Sequence, residues 1–435
     1  MVIDVPKDTT DPSATYEYAY PSEVNLRSYK PAFEGDRTQV NRAVQALLSA
    51  KRPVFYVGGG VIQADAETPL RELVKASRGP VASTLMGLGA YPGSDEQSLG
   101  MLGMHGTYEA NMAMHEADLI LALGARFDDR VTNNPDKFSP KATIVHLDVD
   151  PASVDKIISS DIALVGDAQW VLNTLWEAYQ DQESQRDEAA RQKQQQELDQ
   201  WWEQLEEWRS AHGLNHNLEP QKDQSILPQL AVQTLYRVTE GEAFVTSDVG
   251  QHQMFAAQYY HFDEPRRWIN SGGLGTMGFG LPSAMGVQMG NPEAVVACVT
   301  GEGSFMMNMQ ELSTCLQYGL PIKIINLNNQ ALGMVKQWQD MQYGGRHSQS
   351  TYSDSLPDFK TLVEAFGHVG IRVSDAMELD AAMEEAFSEK NKNRLVFVDV
   401  WVDPHEHVYP MAIKGGAMSD MILSKTQGAA SCEVS

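Results

Sequence analysis

Between residues 39 and 47 the apolar side chains fall at Val40, Ala43, Val44 and Leu47, the spacing of one face of a helix. A short polar stretch then gives way to a continuous apolar run over 53–57, and Gly58, Gly59 and Gly60 turn the chain into Val61. Similar runs occupy 81–84, 119–123, 143–147 and 162–165. Unbroken apolar runs of this length suit strands of a parallel sheet covered on both faces. The alternation resumes near Leu227, with strand runs at 243–247, 295–300, 322–327 and 395–402. The pattern predicts an α/β protein with two open parallel-sheet domains, at 39–180 and 227–415. Residues 181–226 between them predict a helical linker, in which Leu198, Trp201, Trp202, Leu205 and Trp208 share one face.

Both ends break the pattern. Residues 2–5 read as a short strand stopped by Pro6, and the remainder of 1–38 as a linker without periodicity. A strand with no partner before it is marginal, which suggests a cut end. At the other end, 416–435 closes in Gly428-Ala429-Ala430-Ser431 and reads as a mobile tail.

Composition narrows the function classes. The 435 residues exceed what one core of ordinary size needs, in agreement with two domains. Thirty-three Lys and Arg stand against 58 Asp and Glu, and the formal charge of -25 disfavours nucleic acid and anionic membrane surfaces. No apolar run is long enough to span a bilayer, so a cytoplasmic protein is expected. Cys298, Cys315 and Cys432 form no CxxC pair, which argues against a disulfide framework or a zinc site.

The chemistry is concentrated in Thr300-Gly301-Glu302-Gly303-Ser304 at one strand end and Asn328-Asn329 at the next. In a β-α-β unit those ends lie side by side, so Glu302 and Asn329 can offer oxygens to one hard cation such as magnesium. Gly301 and Gly303 allow close backbone approach to a phosphate, and a helix starting near Phe305 would point free N–H groups at it. A lone Gly-x-Gly turn is commonly only a turn. Here two further loops belong to the same expected strand ends, Asp248-Val249-Gly250-Gln251-His252-Gln253 and Gly272-Gly273-Leu274-Gly275-Thr276-Met277-Gly278.

The segment from Gly301 to Asn329 resembles the thiamine-diphosphate motif, Gly-Asp-Gly followed further on by Asn-Asn. The resemblance implies magnesium ligands at position 302, Asn329 and the carbonyl of Ala331. It also implies thiamine diphosphate contacts at Val249, Gly250, Gln251, His252, Gly275, Met277, Gly301, Gly303, Ser304, Gly333, Met334 and Val335, with Met277 propping the bent cofactor. The family usually carries Asp where this chain has Glu302, which extends the carboxylate by one methylene.

Leu332-Gly333-Met334-Val335-Lys336-Gln337-Trp338-Gln339-Asp340 and Gly344-Gly345-Arg346-His347-Ser348 are similar to the acetohydroxyacid synthases. That likeness implies a substrate pocket at Met334 and Trp338, with the tryptophan favouring 2-ketobutyrate; as a bare residue, Trp338 could equally be a core tryptophan. In the first domain, Arg126 and Arg130 can clamp a diphosphate, Gly58–Gly60 permit close backbone approach, and Asp148 or Asp167 can bind ribose or adenine. The spacing of a nicotinamide fingerprint is absent. The same resemblance makes this an FAD site, contacted by Gly58, Gly59, Gly60, Thr84, Leu85, Met104, His105, Gly124, Arg126, Asp128, Arg130, Val131, Asp148 and Asp167.

What the family implies is decarboxylation of pyruvate and carboligation to a second pyruvate or to 2-ketobutyrate, in a homodimer, with a small regulatory subunit as a further partner. Its preceding pyrimidine-binding domain, which supplies the activating glutamate, has no counterpart here. No catalytic acid is therefore assigned, and a fragment inactive without a partner domain is one alternative. Pyruvate oxidase, glyoxylate carboligase or a keto-acid decarboxylase is the other.

Overall fold

The computed structural model describes residues 4–23 and 32–425. Of the expected opening strand, residues 2 and 3 lie outside that range, and Asp4 and Val5 are exposed chain without regular structure. The Gly428–Ser431 end and Cys432 also lie outside it, while Cys298 and Cys315 are buried free thiols.

Asp36 opens the first long helix, Arg37–Ser49, by accepting the Thr38 N–H at 2.7 Å, and Val40, Ala43, Val44 and Leu47 form its buried stripe. The helix leads into a six-stranded sheet of β1 (Pro53–Val57), β2 (Val81–Ser83), β3 (Ser98–Met101), β4 (Leu119–Leu123), β5 (Thr143–Asp148) and β6 (Ile162–Val165). Every neighbouring pair is parallel, in the order β3-β2-β1-β4-β5-β6. Both faces are covered: Phe55, Val57, Leu121 and Val145 join one apolar cluster, and Val54, Tyr56, Ile120 and Ile144 another.

The second sheet comprises β7 (Phe244–Ser247), β8 (Trp268–Asn270), β9 (Val296–Thr300), β10 (Lys323–Asn328), β11 (Val369–Val373) and β12 (Val396–Trp401), ordered β11-β12-β10-β9-β7-β8 and again wholly parallel. Periodicity does not reveal β3, β8 and β11. All three are edge strands, and their sequences, Ser98-Leu99-Gly100-Met101 and Val369-Gly370-Ile371-Arg372-Val373 among them, lack the apolar run that two-sided burial imposes.

Two helices account for the connector up to His212, and residues 213–226 are not helical. Asp167 caps Ala168–Ser184 and Asp187 caps Glu188–His212, so residues 181–184 finish a helix of the first domain. The second helix lies against that domain through buried Leu198, Trp201 and Leu205, and the indole N–H groups of Trp201 and Trp202 donate to the carbonyls of Pro53 and Arg78 at 3.3 and 2.8 Å.

The boundary expected at 415/416 falls inside a hairpin. Strand β13 (Met411–Ala412) pairs antiparallel with β14 (Met421–Ile422), and buried Met418 joins an apolar cluster of the first domain. Asn133 holds the turn through the carbonyls of Ile413 and Gly416 at 2.7 and 3.0 Å. Residues 416–425 thus pack rather than trail, because Met418 and Ile422 each have apolar surface to bury.

Candidate active site

In the second sheet the chain leaves β7 for β8 on one side and returns as β9 on the other. Such a reversal opens a crevice at the carboxyl ends of the strands, where ligands bind in open α/β sheets. Buried Asp248, just after β7, ties the strand ends together: it accepts the Thr300 hydroxyl at 2.6 Å and the Gly280 N–H at 2.8 Å.

Glu302 begins a one-turn helix, Glu302–Phe305, with Gly301 as its N-cap. The helix therefore starts three residues before the expected Phe305, and a single turn adds only a small dipole. After β10, Gln330 takes a left-handed conformation (φ 58°) that folds the chain back over Glu302. The Ala331 N–H donates to both Glu302 Oε1, at 2.8 Å, and Asn329 Oδ1, at 3.1 Å, so the two side-chain oxygens converge on one peptide. The extra methylene of Glu302 is accommodated, since its carboxyl is buried and reaches that peptide. Burial pushes its pKa up to about 7.

A carboxylate and an amide oxygen are hard donors of the kind magnesium prefers. Among the described residues no three His, Cys, Asp or Glu gather as a metal cluster. His252 supports a ligand in the same crevice: burial drives its pKa down to about 4, so the ring is neutral, and its buried Nε2 has no protein partner. The glycines fit as well. A Cβ on Gly303 would stand 2.6 Å from the Tyr352 hydroxyl, and one on Gly333 only 2.2 Å from Gln251 Oε1.

These groups line a cleft with about 560 Å³ of empty space. Its walls include Val249, Gly250, Gln251, His252 and Met277 from the upstream loops, with Gly301, Glu302, Gly303 and Ser304 from the strand turn. Asn329, Ala331, Gly333, Met334 and Val335 complete the predicted set on its far side. Gly275 is exposed and Trp338 half-buried, and neither lies in the wall.

The first sheet reverses between β1 and β4, and the predicted dinucleotide residues surround that point. A Cβ on Gly58 would lie 2.2 Å from the Gly124 carbonyl and one on Gly60 would lie 2.8 Å from Gly124 Cα, so the two turns meet only as glycines. Gly59 sits against Met86, Thr84 and Leu85 follow β2, and Asp148 ends β5. The carboxylates are already engaged: Asp167 accepts the Gln169 N–H at 3.0 Å, Asp148 the Asp150 N–H at 2.8 Å, and Asp128 the Arg130 N–H at 3.2 Å. Arg126 pairs with Asp128 and Arg130 with Asp129, with both arginine side chains exposed. Val131 is buried beside them. Met104 and His105 face the second domain: the Met104 carbonyl accepts from Ala412, and His105 is buried 3.4 Å from the Pro410 carbonyl.

Residues 40–175 match the central domain of thiamine pyrophosphate enzymes, and residues 248–400 match their C-terminal TPP-binding domain. The acetolactate synthase isozyme 3 large subunit of Escherichia coli strain K12 is 56% identical over 427 residues, 98% of this chain and 72% of that protein. The acetolactate synthase large subunit of Haemophilus influenzae is 53% identical over 429 residues, again 98% of this chain and 72% of its own. At 39% identity the Corynebacterium glutamicum large subunit still aligns with 97% of the chain and 65% of its own length. The chain belongs to the acetolactate synthase large-subunit family.

Within this acetolactate synthase scaffold, Tyr352 is a cleft residue that sequence reasoning missed. Residues 350–352 run antiparallel beside 330–332, with Leu332 N–H donating to Ser350 O at 2.8 Å, and only that pairing brings the phenol over Gly303. Asp403 and Glu406, also in the wall, arrive from beyond β12. Met334 and Trp338 are one helical turn apart on Gly333–Gln342 and so share a face. Trp338 belongs to none of the four apolar clusters, which speaks against a core role.

Proposed function

We propose that this chain performs acetolactate synthesis with thiamine diphosphate anchored through magnesium at Glu302, Asn329 and the Ala331 carbonyl, using pyruvate and 2-ketobutyrate as 2-keto acid substrates. The observation that carries this reading is the convergence of Glu302 Oε1 and Asn329 Oδ1 on a single N–H at the strand-end crevice. When bound, the cofactor supplies the carbanion chemistry that decarboxylation and carboligation need. The residues of this chain anchor and orient. The buried Glu302 carboxyl would be held in its charged form by coordination to a divalent cation, which would offset the desolvation that favours the neutral acid. Gly301 and Gly303 leave room for phosphate oxygens, and the neutral His252 ring offers Nε2 to the ligand. Met334 walls the cleft and Trp338 continues the same face toward the acceptor substrate.

FAD is assigned to the crevice between β1 and β4, supported by the glycine contacts of Gly58, Gly60 and Gly124. Its role is structural, since the carboligation moves no electrons overall. That these relatives are large subunits favours a small regulatory partner, and a homodimer is the minimum assembly we assign. Among the described residues no helix is long and apolar enough to cross a membrane. The two buried free thiols agree with a reducing cytoplasm, where we place this activity in branched-chain amino acid biosynthesis.

Calorimetric titration with magnesium and thiamine diphosphate, followed by an acetolactate assay from pyruvate, tests the assignment. Saturable magnesium-dependent binding with acetolactate as product supports it. No binding at millimolar magnesium overturns the metal site, and an oxidised product would point to a pyruvate oxidase instead.

A further inference from the structure

Helix Gly333–Gln342 turns Met334 toward the cofactor cleft, and its opposite face carries a charge cluster that none of the steps above employs. Asp340, half-buried there, faces three donors from three segments. Lys336 Nζ, one turn earlier, lies 2.9 Å from Oδ2; His347 Nε2, from the following loop, lies 2.6 Å from Oδ1; His407 Nε2, from the segment beyond β12, lies 2.9 Å from Oδ2. Lys336 and His407 are buried, so these contacts are shielded from water.

The hydrogen bonds continue inward. Gln251 Nε2, which has only protons to offer, lies 3.4 Å from His407 Nδ1. Nδ1 therefore accepts, and the ring proton resides on Nε2, directed at Asp340. The same Gln251 NH₂ donates to Gln337 Oε1 at 2.9 Å and to the Glu406 carbonyl at 3.3 Å, and the Gln251 Oε1 accepts the Asn329 Nδ2–H at 3.0 Å. Fully buried Gln337 in turn grips Val408 through both its N–H, at 2.9 Å, and its carbonyl, at 3.1 Å. Since Asn329 spends its NH₂ on Gln251, its Oδ1 is left to face Ala331 and Glu302.

We propose that Asp340 is a positioning residue for the metal ligand: its carboxylate selects the His407 tautomer, which together with Gln337 and the Glu406 carbonyl fixes the Gln251 amide and thereby aims Asn329 Oδ1 at the cation. The proposal rests on the reading of Asn329 as a magnesium ligand. The other His407 tautomer would set an N–H against the Gln251 NH₂ and push that amide off Gln337 Oε1 and the Glu406 carbonyl. Asn329 would then lose a fixed acceptor, and its Oδ1 would no longer be held toward Ala331.

Calorimetry on the full chain, with magnesium and thiamine diphosphate as the probe, separates the possibilities. Asp340→Asn has one acceptor oxygen for three donors, and its Kd rises about tenfold, the scale of one buried charge-assisted hydrogen bond. His407→Gln can both donate to Asp340 and accept from Gln251, and its Kd stays within about twofold of the wild type. Should Asp340→Asn not fold, His407→Phe removes donor and acceptor together and carries the same tenfold expectation. Unchanged binding in Asp340→Asn, or in His407→Phe where that variant stands in for it, overturns the proposal, as does a loss in His407→Gln as large as in the disruptive variant. A merely structural role would lower the melting temperature and leave Kd in place. Failure of the wild type to bind sinks the Asn329 reading itself, and this inference with it.

Discussion

Glu302 reaches the Ala331 N–H with one methylene more than the aspartate usual at this position, and it does so from a buried site. A glutamine there keeps the shape and the accepting oxygen but removes the charge. Glu302→Gln should weaken magnesium-dependent cofactor binding at least about tenfold by calorimetry, while the melting temperature of the unliganded protein holds or rises, because an unpaired buried charge is costly. Trp338 yields a different kind of prediction. Its half-buried ring lies outside every apolar cluster, so removing its bulk should alter substrate choice before stability. Competition between 2-ketobutyrate and pyruvate in Trp338→Leu is expected to shift toward pyruvate about tenfold, the scale of a lost apolar pocket contact; an unchanged product ratio would remove Trp338 from the pocket.

At the scale of elements, the connector helix Glu188–His212 shows how one apolar stripe on a charged helix is spent. Trp201 is fully buried against the first sheet and donates to Pro53 O. Trp201→Ala should cost about 3–5 kcal/mol in denaturant unfolding, from the cavity and the unsatisfied carbonyl together. This helix and the central strands were legible because burial on one or both faces writes itself into local spacing. The edge strands β3, β8 and β11 were not, because a strand with one neighbour tolerates Ser, Gly and Arg. The hairpin at 411–422 escaped for a related reason: each of its strands has two residues, too few for a period.

Across the whole molecule, the two domains meet where the His105 carbonyl accepts Gln258 Nε2 at 2.9 Å and the same amide reaches Tyr409 O at 3.1 Å. Burial at this junction holds the His105 pKa down to about 4, well below its ordinary 6.5. The unfolded chain therefore binds a proton between those values that the folded one refuses. The contribution of His105 is complete above pH 6.5 and is lost as pH falls toward 4, with a slope of at most about 1.4 kcal/mol per pH unit. Thermal melts over that window should show His105→Gln losing less stability on acidification than the wild type; parallel curves would assign the acid sensitivity elsewhere.

The sequence alone determined the two parallel-sheet domains, the strand-end loops and the pairing of Glu302 with Asn329. Each of these depends on burial periodicity or on a glycine turn within a single β-α-β unit, where neighbours in sequence are neighbours in space. Tertiary structure alone decided that Tyr352 covers Gly303, that residues beyond β12 wall the cleft, and that Asp340, His407, Gln251 and Asn329 form one hydrogen-bonded line. Those partners are separated by as many as 156 residues, as between Gln251 and His407, and nothing in local spacing records which loops a twisted sheet will bring to the same crevice.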